Sequence, residues 1–504
     1  MRKVPILVLV TGLVWAVSMC QPQDPRPIDS DGGRRGSPTA LAPTSTPATR
    51  ALPAASPTRT SAPVMVETAA QTATAAPSPT AHATPTPAPT RTPAASPTPA
   101  PRVGGAPNGN SISPRISADG GVVAFSSWAD NLVSGDTNGQ ADVFLYDRNA
   151  GTIVRASVSS DGAQGDSLSV APSLSASGRW VAFASQARSL APDDEDWNMD
   201  VFVHDTQTGQ TERIEVSPGG DRTGRSSSSP HISADGRYVA LASLPGDGAR
   251  TWHVYLHDRQ SGQTEWISVG IDGVPGDGWS IEPALAPDGS VVAFWSWAGN
   301  LVADDEWDCG DESAPLSCGD VFLYDLRAQW MGRIPVGEGY GLGGGGYELS
   351  VSADGRYVAL RGWIHDRTNG ASTPICGLDA DEQSMVRTSV VSGDGRWAAY
   401  SDGQVVLCDL GSGARVLVSA APDGGPGDGP SGIVRGHEGY SGGLDLSADG
   451  RWLVFASQAG NLTPGEEKAA RCQEPLALGP EAPHCYDIYL YDREEGRVAR
   501  VGRE

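Results

Sequence analysis

The sequence predicts an all-β chain, a seven-bladed β-propeller of four-stranded antiparallel blades. One short phrase recurs seven times: SADGG at 117–121, SASGR at 175–179, SADGR at 233–237, APDGS at 286–290, SADGR at 352–356, SGDGR at 392–396 and SADGR at 447–451. Its glycines, Gly120, Gly178, Gly236, Gly289, Gly355, Gly395 and Gly450, step by 58, 58, 53, 66, 40 and 55 residues. A repeat of about 40–60 residues is the span of one four-stranded blade. Between copies, β-branched and aromatic runs alternate with Asp/Gly turns, which are strand and hairpin signals.

The first repeat sets the order of elements. A strand over 112–117 enters the turn at Asp119-Gly120, and an apolar strand follows at 122–125. A longer loop runs to Asn138-Gly139, a third strand covers 142–146, a tight turn spans 147–151, and a fourth strand covers 153–158. The last repeat is equally complete, with strands over 444–447, 452–456, 487–491 and 497–501. Seven full repeats give about 28 strands. No strand is left over to exchange across the ring seam, so closure rests on face-to-face packing of blades one and seven.

The repeat P-x-x-S-A-D-G-R-[WY]-V-A-F, followed by N-L-V, D-x-N-G, D-V-F-x-[YH]-D-R and G-x-T, is similar to the TolB-like (WD40-like) propeller repeats of exported bacterial proteins. The resemblance covers roughly 112–501 and implies the fold. It implies little about activity, because that family is rich in scaffolding proteins. TolB itself has six blades behind an α/β domain, whereas this chain has seven repeats behind a stalk, so TolB's partners are not implied.

Two segments precede the propeller assigned to 108–504. Residues 1–20 read as a signal peptide, with Arg2 and Lys3 ahead of a mostly apolar core over 6–17. The segment ends Val17-Ser18-Met19-Cys20, which resembles a lipobox with Cys20 as the lipidated residue. Met19 departs from the small residue usual there, so a plain secretory signal and an uncleaved anchor are the alternatives. Residues 21–107 form a Pro/Thr/Ser/Ala-rich linker that cannot bury enough apolar surface to fold. In the polyproline limit it would reach at most about 270 Å, a stalk whose hydroxyls are candidates for O-glycosylation. Together they predict an exported, lipid-anchored protein on the extracytoplasmic face of a bacterial membrane or cell surface.

Cysteine usage fits an oxidising compartment. The expected disulfides are Cys309 with Cys318, Cys472 with Cys485, and Cys376 with Cys408, although six cysteines allow fifteen connectivities. No CxxC spacing suggests zinc.

The second-to-third-strand loops and the blade connections share one face, and they are long, varied and acidic; loops of this kind carry function. Asp136, Asn138 and Asp142 align with Asp194, Asp196 and Asp200 as D-x-[ND]-x-x-x-D, and Asp305 and Asp320 keep the outer positions in blade four. Oxygen ligands at alternate loop positions suit Ca²⁺. The competing reading is side-chain-to-backbone turn bonds. The phrase DGxxGD, at 161–166, 272–277 and 423–428, adds carboxylates to the same rim. Residues 1–107 carry nine Lys/Arg and four Asp/Glu, a net of +5, which leaves −29 on the remainder of a chain totalling −24. Such a domain repels phosphate backbones and anionic lipid, leaving cations, basic proteins and neutral glycans as partners.

Enzyme signals are sparse. Gly439-Tyr440-Ser441-Gly442-Gly443 matches G-x-S-x-G, but a nucleophile elbow needs a strand before it and a helix after it, and this copy is expected in a loop. His204, His257 and His365 alternate with Tyr146, Tyr324 and Tyr491 at one repeat position, which suggests packing. His231 and His437 are expected near the loop face, and propeller lyases place histidines around a metal at the ring centre. Trp180, Tyr238, Tyr357, Trp397 and Trp452 share a position that would wedge blades together. Trp128, Trp197, Trp279, Trp297 and Trp307 lie by the loop face as candidate sugar platforms. The resulting expectation is a non-enzymatic surface binding or scaffolding propeller, recognising a surface protein or cell-wall glycan through its acidic long-loop face. The alternative is a carbohydrate-active enzyme, a lyase or glycosidase, acting at the axis.

Overall fold

The computed structural model describes residues 106–502 apart from 215, 217–225, 245–250, 304–318, 336–347, 437–438 and 465–484. The readings for the signal segment, Cys20 and the linker up to residue 105 lie outside the described residues. Seven four-stranded antiparallel sheets follow one another along the chain, each built from consecutive strands in the order first-second-third-fourth. Blade one is Ser111–Ile116, Val122–Ser127, Asp142–Asp147 and Thr152–Arg155; blade seven is Leu444–Leu446, Trp452–Ser457, Asp487–Asp492 and Arg497–Arg500. The fourth strand of blade one is thus shorter than expected. The first strands of successive blades contact one another in a closed circle that includes blade seven against blade one. They are therefore the inner strands, and they wall the central channel.

The repeated phrase is a turn with its hydrogen bonds built in. Ser233 Oγ donates to Asp235 Oδ1 at 2.7 Å and accepts the Tyr238 N–H at 2.9 Å, while Asp235 Oδ1 accepts the Arg237 N–H. The same serine-to-aspartate bond recurs at Ser117, Ser352, Ser392 and Ser447. The turn glycine takes the left-handed conformation, φ +75° at Gly236, and the Trp180 indole of the preceding blade lies where its Cβ would stand. Trp452 meets Gly120, Tyr238 meets Gly289, Tyr357 meets Gly395 and Trp397 meets Gly450 in the same way. The wedging aromatics and the invariant glycine are two halves of one contact.

These turns also join blade to blade through the backbone. Ala118 N–H donates to Ala176 O, Ala176 to Ala234, Ala234 to Pro287, Asp288 to Ala353, Ala353 to Gly393, Asp394 to Ala448, and Ala448 back to Ala118, at 2.8–3.3 Å. Pro287 has no N–H to give, and at that junction the donor moves one residue on to Asp288, at 3.3 Å. The seam between blades seven and one closes with the same bond as the internal junctions. Seven apolar clusters lie one at each junction, and the one at the seam joins Phe125, Phe144 and Tyr146 to Tyr486, Ile488 and Leu490.

Two elements have no counterpart in the repeat grammar. A short helix, Ala380–Met385, follows blade five and carries a capping box between Asp379 and Glu382. A two-stranded hairpin, Ile433–Gly436 with Gly439–Gly442, precedes blade seven. The G-x-S-x-G segment therefore lies on a strand, not in a loop, and no helix follows it. Cys376 and Cys408 are joined by a disulfide that links the end of blade five to blade six. Cys485 is disulfide-bonded as well, whereas Cys472, Cys309 and Cys318 lie outside the described residues. Among the described residues no helix is long and apolar enough to cross a membrane.

Candidate functional site

Arginines hold carboxylates of the second-to-third-strand loops. Arg213, on the fourth strand of blade two, reaches Asp194 at 3.3 Å and Asp200 at 3.2 Å. Arg155 does the same for Asp136 at 3.2 Å and Asp142 at 3.1 Å, and Arg333 lies 3.3 Å from Asp320. In blade seven, Arg500 lies 3.3 Å from Asp487. The polar neighbours are engaged too. Gln164 Nε2 donates to Asp136 and Asp142, Ser157 Oγ donates to Asp142, and Asn138 Oδ1 accepts the Gln140 N–H.

Asp194, Asp196 and Asp200 bring their carboxylate oxygens within 4.8 Å of one another. Burial raises the Asp200 carboxyl to about 7 against the opposing pull of Arg213. The donor set is hard oxygen, as Ca²⁺ prefers, but Arg213 already supplies the positive charge, so a cation would have to displace it. Asp305 lies outside the described residues. The DGxxGD segments are tight turns whose last aspartate caps the next blade's loop: Asp277 Oδ1 accepts the Gly299 N–H at 2.7 Å, and Asp428 Oδ1 the Gly460 N–H at 2.5 Å.

The axis holds a second group of polar side chains. Blades one to four carry a bulge on the inner strand, where Ser113, Ala171, Ser229 and Glu282 take φ of 50–53° immediately before a proline. A bulge re-aims the side chains around it. Inner strands and the segments leading into them contribute Arg115, His231, Glu282, Glu348, Thr388 and Asp445 from six different blades. Arg115 of blade one and Glu348 of blade five form an ion pair across the channel, with side chains 20% and 13% exposed, so solvent still reaches them. Gly442, at the end of the extra hairpin, lies so close to the Glu348 carboxylate that no side chain could stand there.

Some of these groups are structural. Asp445 Oδ2 accepts the Ile116 N–H of the next blade at 2.9 Å. Ser173 performs the same service for Ile232, and Ser350 for Val391. His231 holds the equivalent position in blade three, yet its buried Nδ1 has no hydrogen-bond partner among the described residues. Burial lowers His231 to about 3, with Arg115 adding to the effect, so the imidazole is neutral. Burial raises Glu348 to about 7; Arg115 opposes this, Asp445 and Glu282 add to it, and a hydrogen bond from Thr388 opposes it.

His231 thus stands on an inner strand in the channel and not by the loop face, and His437 lies outside the described residues. His204 and His257 are packing groups: their Nδ1 atoms pair with Thr211 and Thr264 across the outer hairpin at 2.9 and 2.8 Å. Of the candidate sugar platforms, Trp197 is exposed but carries Arg188 on its face, 4.1 Å from the ring centroid. Trp128, Trp279 and Trp297 are half-buried, and Trp307 lies outside the described residues.

Seven closed blades around a polar channel define the class of the protein, a seven-bladed β-propeller. No protein-family model matches the sequence, and no curated protein matches it. Among solved structures it is similar to TolB from Acinetobacter baumannii, at 14% identity and a TM-score of 0.32, over 61% of this chain and 53% of that one. It is similar to an oligogalacturonate lyase from Vibrio parahaemolyticus, at 12% and 0.43, over 69% of this chain and 86% of that one. The propeller domain of the Trilobed protease from Pyrococcus furiosus matches at 11% and 0.44, over 78% and 97%. The chain thus spans about half the length of the TolB structure, and the fold rests on the seven sheets themselves.

Proposed function

We propose that the protein is a binding propeller, exported and anchored at the cell surface, whose ligand meets Arg115, His231 and Glu348 in the central channel. The observation that carries this reading is the buried His231 Nδ1, which has no hydrogen-bond partner among the described residues, in the same channel as the Arg115–Glu348 ion pair. A buried polar atom left unpaired costs about 1–3 kcal/mol, and a ligand bearing a donor or acceptor removes that cost. The rim supports recognition less, because Asp136, Asp142, Asp194 and Asp200 already hold arginines. Export is supported by the charged and apolar start of the chain and by the Cys376–Cys408 bond. The ligand is a polar group of a surface protein or of a cell-wall glycan.

Capture from the native cell surface with wild type, His231→Ala, Glu348→Gln and an Asp272→Asn/Asp423→Asn rim variant tests this. Loss of the captured species in the channel variants alone supports the axis. Loss in the rim variant alone returns recognition to the acidic loops.

One observation favours a second reading, a carbohydrate-active enzyme at the axis. A carboxyl raised to about 7 by burial is suited to general acid–base work near neutrality. Turnover of oligosaccharides by wild type, abolished in Glu348→Gln, would select it.

A further inference from the structure

Blade four departs from its six companions on its outer edge. The turn from third to fourth strand ends in a left-handed glycine at Gly151, Gly209, Gly262, Gly370, Gly413 and Gly496, whereas blade four places Gln329 there at φ 48°. A side chain in that conformation is strained, and strain retained at one repeat of seven points to use. The next residue, Trp330, is 55% exposed. Its ring lies over Gly332, two residues on, where any Cβ would collide with it. The bare glycine lets the indole lie on its own strand as a platform.

Beside it is a cavity of about 360 Å³ between blades three and four, lined by Trp266, Ile271, Leu301, Tyr324, Trp330 and Met331 among others. That is the lower end of the ~300–1,000 Å³ of small-molecule sites. Polar groups stand at its edge: the Gln329 amide, and Glu265, whose Oε1 accepts the Tyr324 O–H at 3.1 Å.

We propose that this cleft is a neutral-saccharide site, separate from the channel, in which a pyranose ring stacks on Trp330 and its hydroxyls meet Gln329 and Glu265. A sugar presents apolar C–H faces and a hydroxyl edge, and the cleft offers an aromatic face bordered by an amide and a carboxylate. The net −29 of the chain beyond residue 107 selects against acidic polysaccharides by repulsion. Trp330 and Trp266 lie on fourth strands, and neither is among the loop-face tryptophans that the sequence singles out.

The test titrates the full chain with neutral oligosaccharides: cello-, chito-, malto- and mannotetraose, followed by tryptophan fluorescence and ligand-observed NMR. At least one binds wild type, and Trp330→Ala, an exposed change, weakens it by roughly tenfold without lowering Tm. Gln329→Gly restores the repeat's glycine, raising Tm by about 1–2 °C while weakening the sugar. No binding of any of the four, or unchanged binding by Trp330→Ala, overturns the proposal. Loss of a captured protein in Trp330→Ala with no sugar bound would also overturn it and give this face to a protein.

Discussion

Trp452, in the last blade, lays its indole against Gly120, in the first, and Arg148 covers the same ring from 3.9 Å. The contact spans the seam, yet it repeats what Trp180 and Gly236 do between blades two and three, with Arg259 at 4.0 Å. The seam is held by the same chemistry as the other junctions, which makes it testable by a single methyl group.

Gly120→Ala places that methyl inside the Trp452 ring at φ +70°. The left-handed backbone costs about 1–2 kcal/mol and overpacking about 1–3 more. Gly135→Ala is the control, at φ +79° with nothing within 4 Å of the added carbon, and it carries the backbone cost alone. Denaturant unfolding of the two variants should differ by about 1–3 kcal/mol. Equal losses would mean that the indole does not hold the seam.

Removing Arg213 leaves Asp194 and Asp200 facing each other without their cation. Breaking such a pair from one side costs about 3–5 kcal/mol when buried, and less here because Asp200 keeps 18% of its side chain exposed. Arg213→Ala is expected to lose stability and to recover part of it on adding Ca²⁺, while wild type responds weakly. A wild-type Tm that rises with Ca²⁺ as much as the variant's would show that the ion displaces the guanidinium.

The channel groups act on stability with opposite slopes. His231 is held near 3, below its ordinary 6.5, so between those values the unfolded chain binds a proton that the fold refuses, and stability falls as pH drops. Glu348 is held near 7, above its ordinary 4.5. The fold keeps a proton there that the unfolded chain releases, and stability falls as pH rises from 4.5 through 7. Tm profiles of His231→Gln and Glu348→Gln should each lose one of these limbs. Profiles parallel to wild type would place both groups in contact with bulk water.

The blades were legible because each lies within one repeat, where local turn chemistry and strand patterning agree. Ser233, Asp235 and Gly236 state the turn within four residues. The channel was less so. Arg115, His231 and Asp445 stand five residues before their turn glycines, and Glu282, Glu348 and Thr388 seven before theirs. Aligning the repeats exposes these two columns as the changing ones in a constant grammar, but only closure of the ring sets Arg115 against Glu348. The arginine partners of the rim were missed for a related reason. Arg213 lies thirteen residues beyond Asp200, on the far strand of the hairpin, so a loop read alone looks like a cation site. The hairpin at 433–442 is interrupted by glycines, one of which, Gly442, stands where any side chain would collide with Glu348.

The bond from Ala448 to Ala118 closes the circle of turns, and Asp445 reaches Ile116 across 329 positions of sequence. A ribosome adding about 5–20 residues per second needs roughly 16–66 s to traverse that distance. For that interval blade one has made its partner on one side and waits with Phe125, Phe144 and Tyr146 uncovered on the other. The first blade out is therefore the last to be finished. An agent that shields nascent apolar surface would act there, and chains truncated before residue 444 should be degraded or aggregate even with six blades complete.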